Sequence, residues 1–225
     1  MQESLQIKAM FDNIANKYDF LNHLLSLGQD FYWRKEMLKA LYPLEKSSIV
    51  CDLATGTGDS AKVIIKKGFN VFGVDLSPKM LQISKRKLSN FSFYPLCGSG
   101  YQLPFKDETF DAVTCAFGIR NMHSIDMALT EIFRVLKKGG KSVFLEFSVP
   151  SNIFKAIYAF YMKYILPNIA AMFSEKQAYE YLWESICSFP EPDEFANILI
   201  KAGFVGVEQT SLSLGTVYIH KAFKF

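Results

Sequence analysis

The chain has 225 residues, half of them hydrophobic, 15% aromatic and 21% charged, which excludes a disordered chain and supplies enough apolar matter for a large core. Its 25 basic and 22 acidic residues leave a net charge of +3, too small a surplus for a dedicated nucleic-acid binder.

From the N-terminus, MQESLQIKAMF lacks the charged start and apolar run of a secretory signal, so a cytoplasmic location is expected. Two helices are predicted near 5–17 and 30–42, ahead of any strand, where they could cap the open end of a sheet. Then β-rich runs at 49–53, 70–74, 91–96, 111–117 and 141–147 alternate with helical stretches near 59–67, 78–89 and 123–137. That alternation predicts an α/β fold with a mainly parallel sheet, whose strands are apolar because helices cover both faces. After residue 150 comes IFKAIYAFYMKYILPNIAAMF (153–173), with six aromatics, no acid and only Lys155 and Lys163. Helices near 175–187 and 192–202 follow, and strands near 204–211 and 216–224 are close enough to form an antiparallel hairpin at the sheet edge. The whole reads as one domain: a cap (1–45), a core (46–150), a helical insertion (151–190) and a closing helix with edge strands (191–225). Cys51, Cys97, Cys115 and Cys187 lack CxxC spacing and His23, His123 and His220 are scattered, so neither a metal site nor a disulfide framework is expected.

Chemistry concentrates first in DLATGTGD (52–59), between a strand pattern and a helix pattern. Gly56 and Gly58 let backbone approach a ligand, and GVDLS places Asp75 at the end of the next strand, where an acid can accept both hydroxyls of a ribose. Gly56-x-Gly58-x-x-Ala61 also satisfies a loose dinucleotide fingerprint. Asp52, four residues ahead of the glycines, would repel a pyrophosphate and attract the ammonium of a methionine moiety, directly or through water, which favours S-adenosylmethionine over NAD.

The strings MFDNIANKYDFLN, LSLGQDFYWRK, DLATGTGD, VDLSPKML, LPFKDETFD, FGIRN, RVLKKGG, LEFSVP, YLWESICSFP and GTVYIHKAFKF, spread over nearly the whole chain, resemble the ubiquinone/menaquinone biosynthesis C-methyltransferases. This is a family of class I S-adenosylmethionine-dependent methyltransferases. The resemblance implies a Rossmann-like, seven-stranded, mostly parallel sheet with an antiparallel last strand, an N-terminal helical cap and a helical insertion after strand five. It implies S-adenosylmethionine as cofactor and a polyprenyl quinol, methylated on a ring carbon, as substrate. Thr57 and the glycines beside it would hold the methionine end, Asp75 the ribose, and Ser99 and Gly100 the adenine, with Ala116 offering backbone. Where the family has Gly-Asp/Asn-Ala-Glu this chain has Gly98-Ser99-Gly100-Tyr101, and a serine reaches the adenine amino group less well than a longer acid or amide.

Deprotonation of a quinol hydroxyl spreads negative charge into the ring. The resemblance places Arg120 and Asn121 to hold that charge, Arg120 as oxyanion clamp; the alternative is that Arg120 pairs with a carboxylate in the fold. For the base, His123 and the Tyr18-Asp19 pair of the cap are the candidates, Asp19 acting through water or merely capping a helix. Residues 153–173 are either a prenyl-tail tunnel and interfacial patch, giving peripheral contact with a membrane, or buried cap helices. A homo-oligomer or a quinone-biosynthesis complex is compatible with the sequence. The rival readings are methylation of another hydrophobic small molecule, a non-catalytic scaffold, and a dehydrogenase.

Overall fold

The computed structural model describes residues 2–151, 153–171 and 176–225. Three helices come first, α1 (Gln2–Ile14), α2 (Tyr18–Leu25) and α3 (Gln29–Ala40). The alternating core follows: β1 (Ile49–Leu53), α4 (Asp59–Ile65), β2 (Asn70–Asp75), α5 (Pro78–Lys87), β3 (Phe93–Cys97), β4 (Phe110–Ala116), α6 (Ile125–Val135) and β5 (Leu136–Phe147). Next come α7 (Lys155–Phe160), a π-helical turn (Tyr161–Ile165), α8 (Leu166–Ala171), α9 (Lys176–Ser188), α10 (Pro192–Lys201), β6 (Val205–Leu212) and β7 (Val217–Phe223).

The strands form one sheet in the order β3-β2-β1-β4-β5-β7-β6. β1 pairs in parallel with both β2 and β4, and β7 lies antiparallel between β5 and β6. The expected seven-stranded, mostly parallel sheet is therefore present. The chain reverses its winding at β1, so the loops after β1 and β4 diverge there and open a crevice beyond their carboxyl ends. Val50 to Leu53 and Ala112 to Cys115 are buried, as central strands covered on both faces must be.

Beyond shifts of a residue or two at element ends, three regions differ from the predicted ones. The helix predicted over 5–17 is α1, which ends at Ile14, where the Lys17 amide closes a turn on the Ile14 carbonyl; α2, from Tyr18, is a further helix that was not predicted. Eight residues carry too few repeats to declare α2 by periodicity. β5 begins at Leu136 because the Lys-Lys-Gly-Gly stretch, which reads as a loop, is a bulge in the ladder: Phe110 pairs with Leu136 and Ala112 with Lys141. Gly139, at φ +75°, accommodates the extra residues. The aromatic segment is three short helical pieces, and its Met172 and Phe173 lie outside the described residues.

The N-terminal helices and the 155–188 region pack on each other through Leu21, Leu25, Met162, Leu166, Tyr179 and Ile186. The Tyr161 hydroxyl donates to the Leu25 carbonyl at 2.8 Å. Together they make a lid of helices over the crevice.

Candidate active site

The loop after β1 owes its shape to two left-handed glycines. Gly58 (φ +86°) starts α4, and a Cβ there would meet Leu88 Cδ1 at 2.9 Å and Ser84 Cβ at 3.1 Å, so only glycine fits. A Cβ on Gly56 (φ +54°) would meet no atom within 4 Å, because Gly56 borders open space on both sides. One side is a chamber of about 360 Å³ beneath the cap, the other a chamber of about 110 Å³ above β2. Phe11, Tyr18, Ala54, Gly56, Ala116 and Phe117 line both.

The smaller chamber is bounded by Asp75, Gly98, Gly100, Tyr101, Asn121 and Met122. Asp75 is pinned by the Gly56 amide on Oδ2 and the Ser77 amide on Oδ1, each at 2.8 Å. Burial pushes its carboxyl up from the ordinary carboxylate range, against the pull of those two amides. Each oxygen keeps a lone pair for a further donor. Two such acceptors at the edge of a small chamber suit a vicinal diol, and Gly98 and Gly100 add no side chain to its wall. Ser99 is not at the wall: its hydroxyl accepts from the Tyr101 amide at 3.2 Å and ties the loop to itself.

Other sequence candidates are redistributed. Asp52 lies 1% exposed below the loop, where the hydroxyls of Thr55 (2.6 Å) and Thr114 (2.7 Å) donate to its two oxygens. It borders neither chamber and cannot touch a methionine ammonium directly; burial pushes its carboxyl up to about 6. Thr57, which lines the large chamber, donates to Asp19. The other Asp19 oxygen accepts from Lys87 at 2.8 Å. Asp19 is thus a latch between cap, glycine loop and α5, outside the chamber walls, and the proton-acceptor expectation loses its geometry. His123 is exposed and packs edge-on against Tyr101 with ring centres 4.4 Å apart, and it lines neither chamber. Tyr18 does reach them, its hydroxyl pushed up by burial.

Arg120 comes off the turn after β4 and lines the large chamber. Its Nη1 donates to Glu146 Oε1 and to the Phe117 carbonyl, both at 2.6 Å, and its Nε to Ser185 Oγ at 3.3 Å. The free clamp of the sequence reading is therefore an ion pair, with side chains 6% and 1% exposed, as its alternative had it. Yet Nη2 makes no hydrogen bond among the described residues and is not among the sealed, unpartnered polar atoms. Asn121 donates to the Phe117 carbonyl at 3.3 Å and accepts from Tyr181 at 3.1 Å. Sequence reasoning missed Glu146, although LEFSVP was singled out: a lone acid inside an apolar strand is itself the signal of a buried pair.

The crevice, the loop and the paired chambers are those of a class I S-adenosylmethionine-dependent methyltransferase. Solved structures share the fold. A Haloferax volcanii complex of the Trm112 methyltransferase activator with a putative methyltransferase matches with TM-score 0.70 at 20% identity, over 95% of this chain and 96% of that one. The Haemonchus contortus phosphoethanolamine N-methyltransferase 2, bound to phosphomonomethylethanolamine and S-adenosylhomocysteine, matches with TM-score 0.65 at 17% identity over 85% of this chain and 52% of that one.

The chain belongs to the ubiE/COQ5 methyltransferase family, whose model matches residues 1–224. The demethylmenaquinone methyltransferase of Streptomyces avermitilis is 43% identical over 97% of this chain and 94% of its own length. The ubiquinone/menaquinone biosynthesis C-methyltransferase UbiE of Geotalea uraniireducens is 41% identical over 95% of each. The protein is an S-adenosylmethionine-dependent C-methyltransferase, which removes the dehydrogenase and scaffold readings.

Proposed function

We infer that this enzyme methylates a ring carbon of a polyprenyl quinol in menaquinone or ubiquinone biosynthesis. When bound, S-adenosylmethionine supplies an electrophilic methyl group on sulfur. Asp75, Gly56, Gly98 and Gly100 would hold its nucleoside, and the loop from Thr55 to Thr57 the remainder. The observation that carries the substrate is the large chamber, walled by aromatic and aliphatic side chains such as Trp33, Phe117, Phe147, Tyr158 and Leu166. It meets the cofactor chamber at Ala116 and Phe117.

A quinol carbon becomes nucleophilic when the neighbouring hydroxyl loses its proton to solvent and charge enters the ring; that carbon would take the methyl as the methyl–sulfur bond breaks and S-adenosylhomocysteine leaves, and loss of the ring C–H proton to solvent would restore the quinol. The open Nη2 of Arg120 then donates to the developing phenolate, while Glu146 fixes the guanidinium plane so that little reorganisation accompanies the reaction. Phe147 lies under that guanidinium, its ring centre 5.4 Å from the Arg120 Cζ. Phe117 and Phe147 pack with centres 4.5 Å apart and exclude water from the charge.

Membrane contact would be peripheral, since no described helix is long and apolar enough to cross a bilayer. Phe20, Leu24, Leu27 and Phe31 are exposed on the N-terminal cap; Ile153, Ile157, Phe160 and Tyr164 are exposed on the aromatic segment. Both sets are spaced by four, three and four residues, and the Tyr161–Leu25 hydrogen bond joins the helices that bear them. The inner face of the same segment, through Met162 and Leu166, is cap core. An apolar rim at the mouth of an apolar chamber suits a substrate drawn from lipid.

Expression in a host whose own quinone C-methyltransferase is deleted tests the reading. Mass spectrometry of the extracted quinones should show the demethylated species converted to one heavier by CH2, a methyl in place of a ring hydrogen. Persistence of the demethylated quinones with the protein expressed and binding S-adenosylhomocysteine would redirect the assignment to another hydrophobic small molecule.

A further inference from the structure

We propose that Arg34 binds the α-carboxylate of the cofactor's methionine moiety, with Asp30 and Asp59 placed to receive its α-ammonium. Arg34 stands on α3 and lines the large chamber, as Thr55 and Thr57 do. Its side chain is 10% exposed. Nη1 donates to Asp30 Oδ2 at 2.6 Å and to the Asp30 carbonyl at 3.2 Å, and Nε donates to Ser60 Oγ at 3.3 Å. Nη2 has no hydrogen bond among the described residues and is not one of the sealed atoms, which are Tyr158 Oη and His220 Nδ1. A buried guanidinium with donors unspent in a ligand chamber selects a flat anion with two oxygens.

The rest of the corner decides which anion. Asp30 and Asp59 also line the chamber, and His23 lies between them, with Nδ1 2.7 Å from Asp30 and Nε2 3.5 Å from Asp59. Lys87 pairs with both Asp59 and Asp19. Three carboxylates thus face the two permanent cations Arg34 and Lys87, and the corner carries one negative charge before His23 is counted. A phosphate or a phenolate would meet repulsion there. A zwitterion carrying ammonium and carboxylate on one carbon meets both signs, and a sulfonium beside it balances the surplus. The corner adjoins Gly56, across which Asp75 holds the ribose end, so the amino acid end of one molecule reaches it. Asp52, the acid the sequence suggests for the ammonium, is sealed below by two threonines.

Calorimetry with ligand pairs tests the assignment. The wild-type protein should bind S-adenosylhomocysteine about tenfold to a hundredfold more tightly than its decarboxylated analogue, S-adenosyl-3-thiopropylamine. Arg34→Gln should lose most of that ratio, while the decarboxylated ligand binds the two proteins nearly equally. Arg34→Lys, which keeps the charge without the fork, should fall between, and it serves alone if the glutamine variant does not fold. A ratio unchanged by either variant would reduce Arg34 to a cap-anchoring ion pair and overturn the proposal. Because both ligands see the same folded protein, a general loosening of the cap weakens them together and leaves the ratio intact.

Discussion

Arg120→Gln and Glu146→Gln, made singly and together, separate what this pair does for the fold from what the open half of the guanidinium does for the reaction. The two side chains are 2.6 Å apart and 6% and 1% exposed. Without Arg120's side chain, Glu146 keeps only the backbone amides of Phe147 (2.9 Å) and of residue 120 (3.4 Å). Removing one partner of a buried pair costs about 3–5 kcal/mol, and Arg120→Gln should lose about that much at pH 8. Burial pushes the Glu146 carboxyl up and the guanidinium pulls it back, so in this variant it rises further. An acid whose folded pKa lies above its unfolded value destabilises only where it would be ionised; the loss should therefore shrink as pH falls towards 5. In the double variant no buried charge remains, and a coupling of about 1–3 kcal/mol should be recovered. Turnover should part from stability: Arg120→Gln and the double variant both fall about 10²-fold or more, because the clamp is missing from each, whereas Glu146→Gln falls less. Denaturant titrations at pH 8 and 5, beside kcat on a short-tailed demethylated quinol, read all of this. A double variant that regained stability and turnover together would make Arg120 purely structural and refute the clamp.

Asp75→Ala should weaken S-adenosylhomocysteine binding about tenfold to a hundredfold by calorimetry, since it removes charge-assisted bonds to the ribose; unchanged affinity would take Asp75 out of the site. Asp52→Asn should stabilise the ligand-free protein at pH 8. The native carboxyl sits at about 6 against roughly 3.9 unfolded, a penalty of about 3 kcal/mol above pH 6 that vanishes below pH 4, so the advantage of the variant in denaturant melts should fade across that window. Ile157→Ser with Phe160→Ser should weaken sedimentation with anionic vesicles by about tenfold or more. Lys155→Glu with Lys163→Glu should remove its preference for anionic over neutral lipid, and indifference to both pairs would assign the rim to something other than a bilayer.

The order of elements, the glycine loop and Asp75 were legible in the sequence because each is a local requirement. A central parallel strand must be apolar on both faces, the turn after β1 needs glycine at Gly58 for its φ of +86°, and Asp75 ends β2 by position in the chain. β7 beside β5 was less so: two close strands predict a hairpin, but not which of them pairs with the core. α2 was missed because eight residues, YDFLNHLL, complete too few turns to repeat a pattern.

What tertiary structure alone decided is which polar groups are spent and which are open. Asp52, Asp19 and Arg120 are each the residue type that the chemistry calls for, yet the fold gives Asp52 two threonine hydroxyls, Asp19 a lysine and Thr57, and Arg120 a buried glutamate. Arg34, inconspicuous in DFYWRK, keeps Nη2 unbonded among the described residues at the chamber wall, as Arg120 does beside its glutamate. Sequence determines charge and hydrogen-bonding capacity residue by residue. Whether that capacity is satisfied internally or left for a ligand depends largely on partners distant in sequence, 26 positions away in Arg120–Glu146 and 68 in Asp19–Lys87, and only folding brings those together.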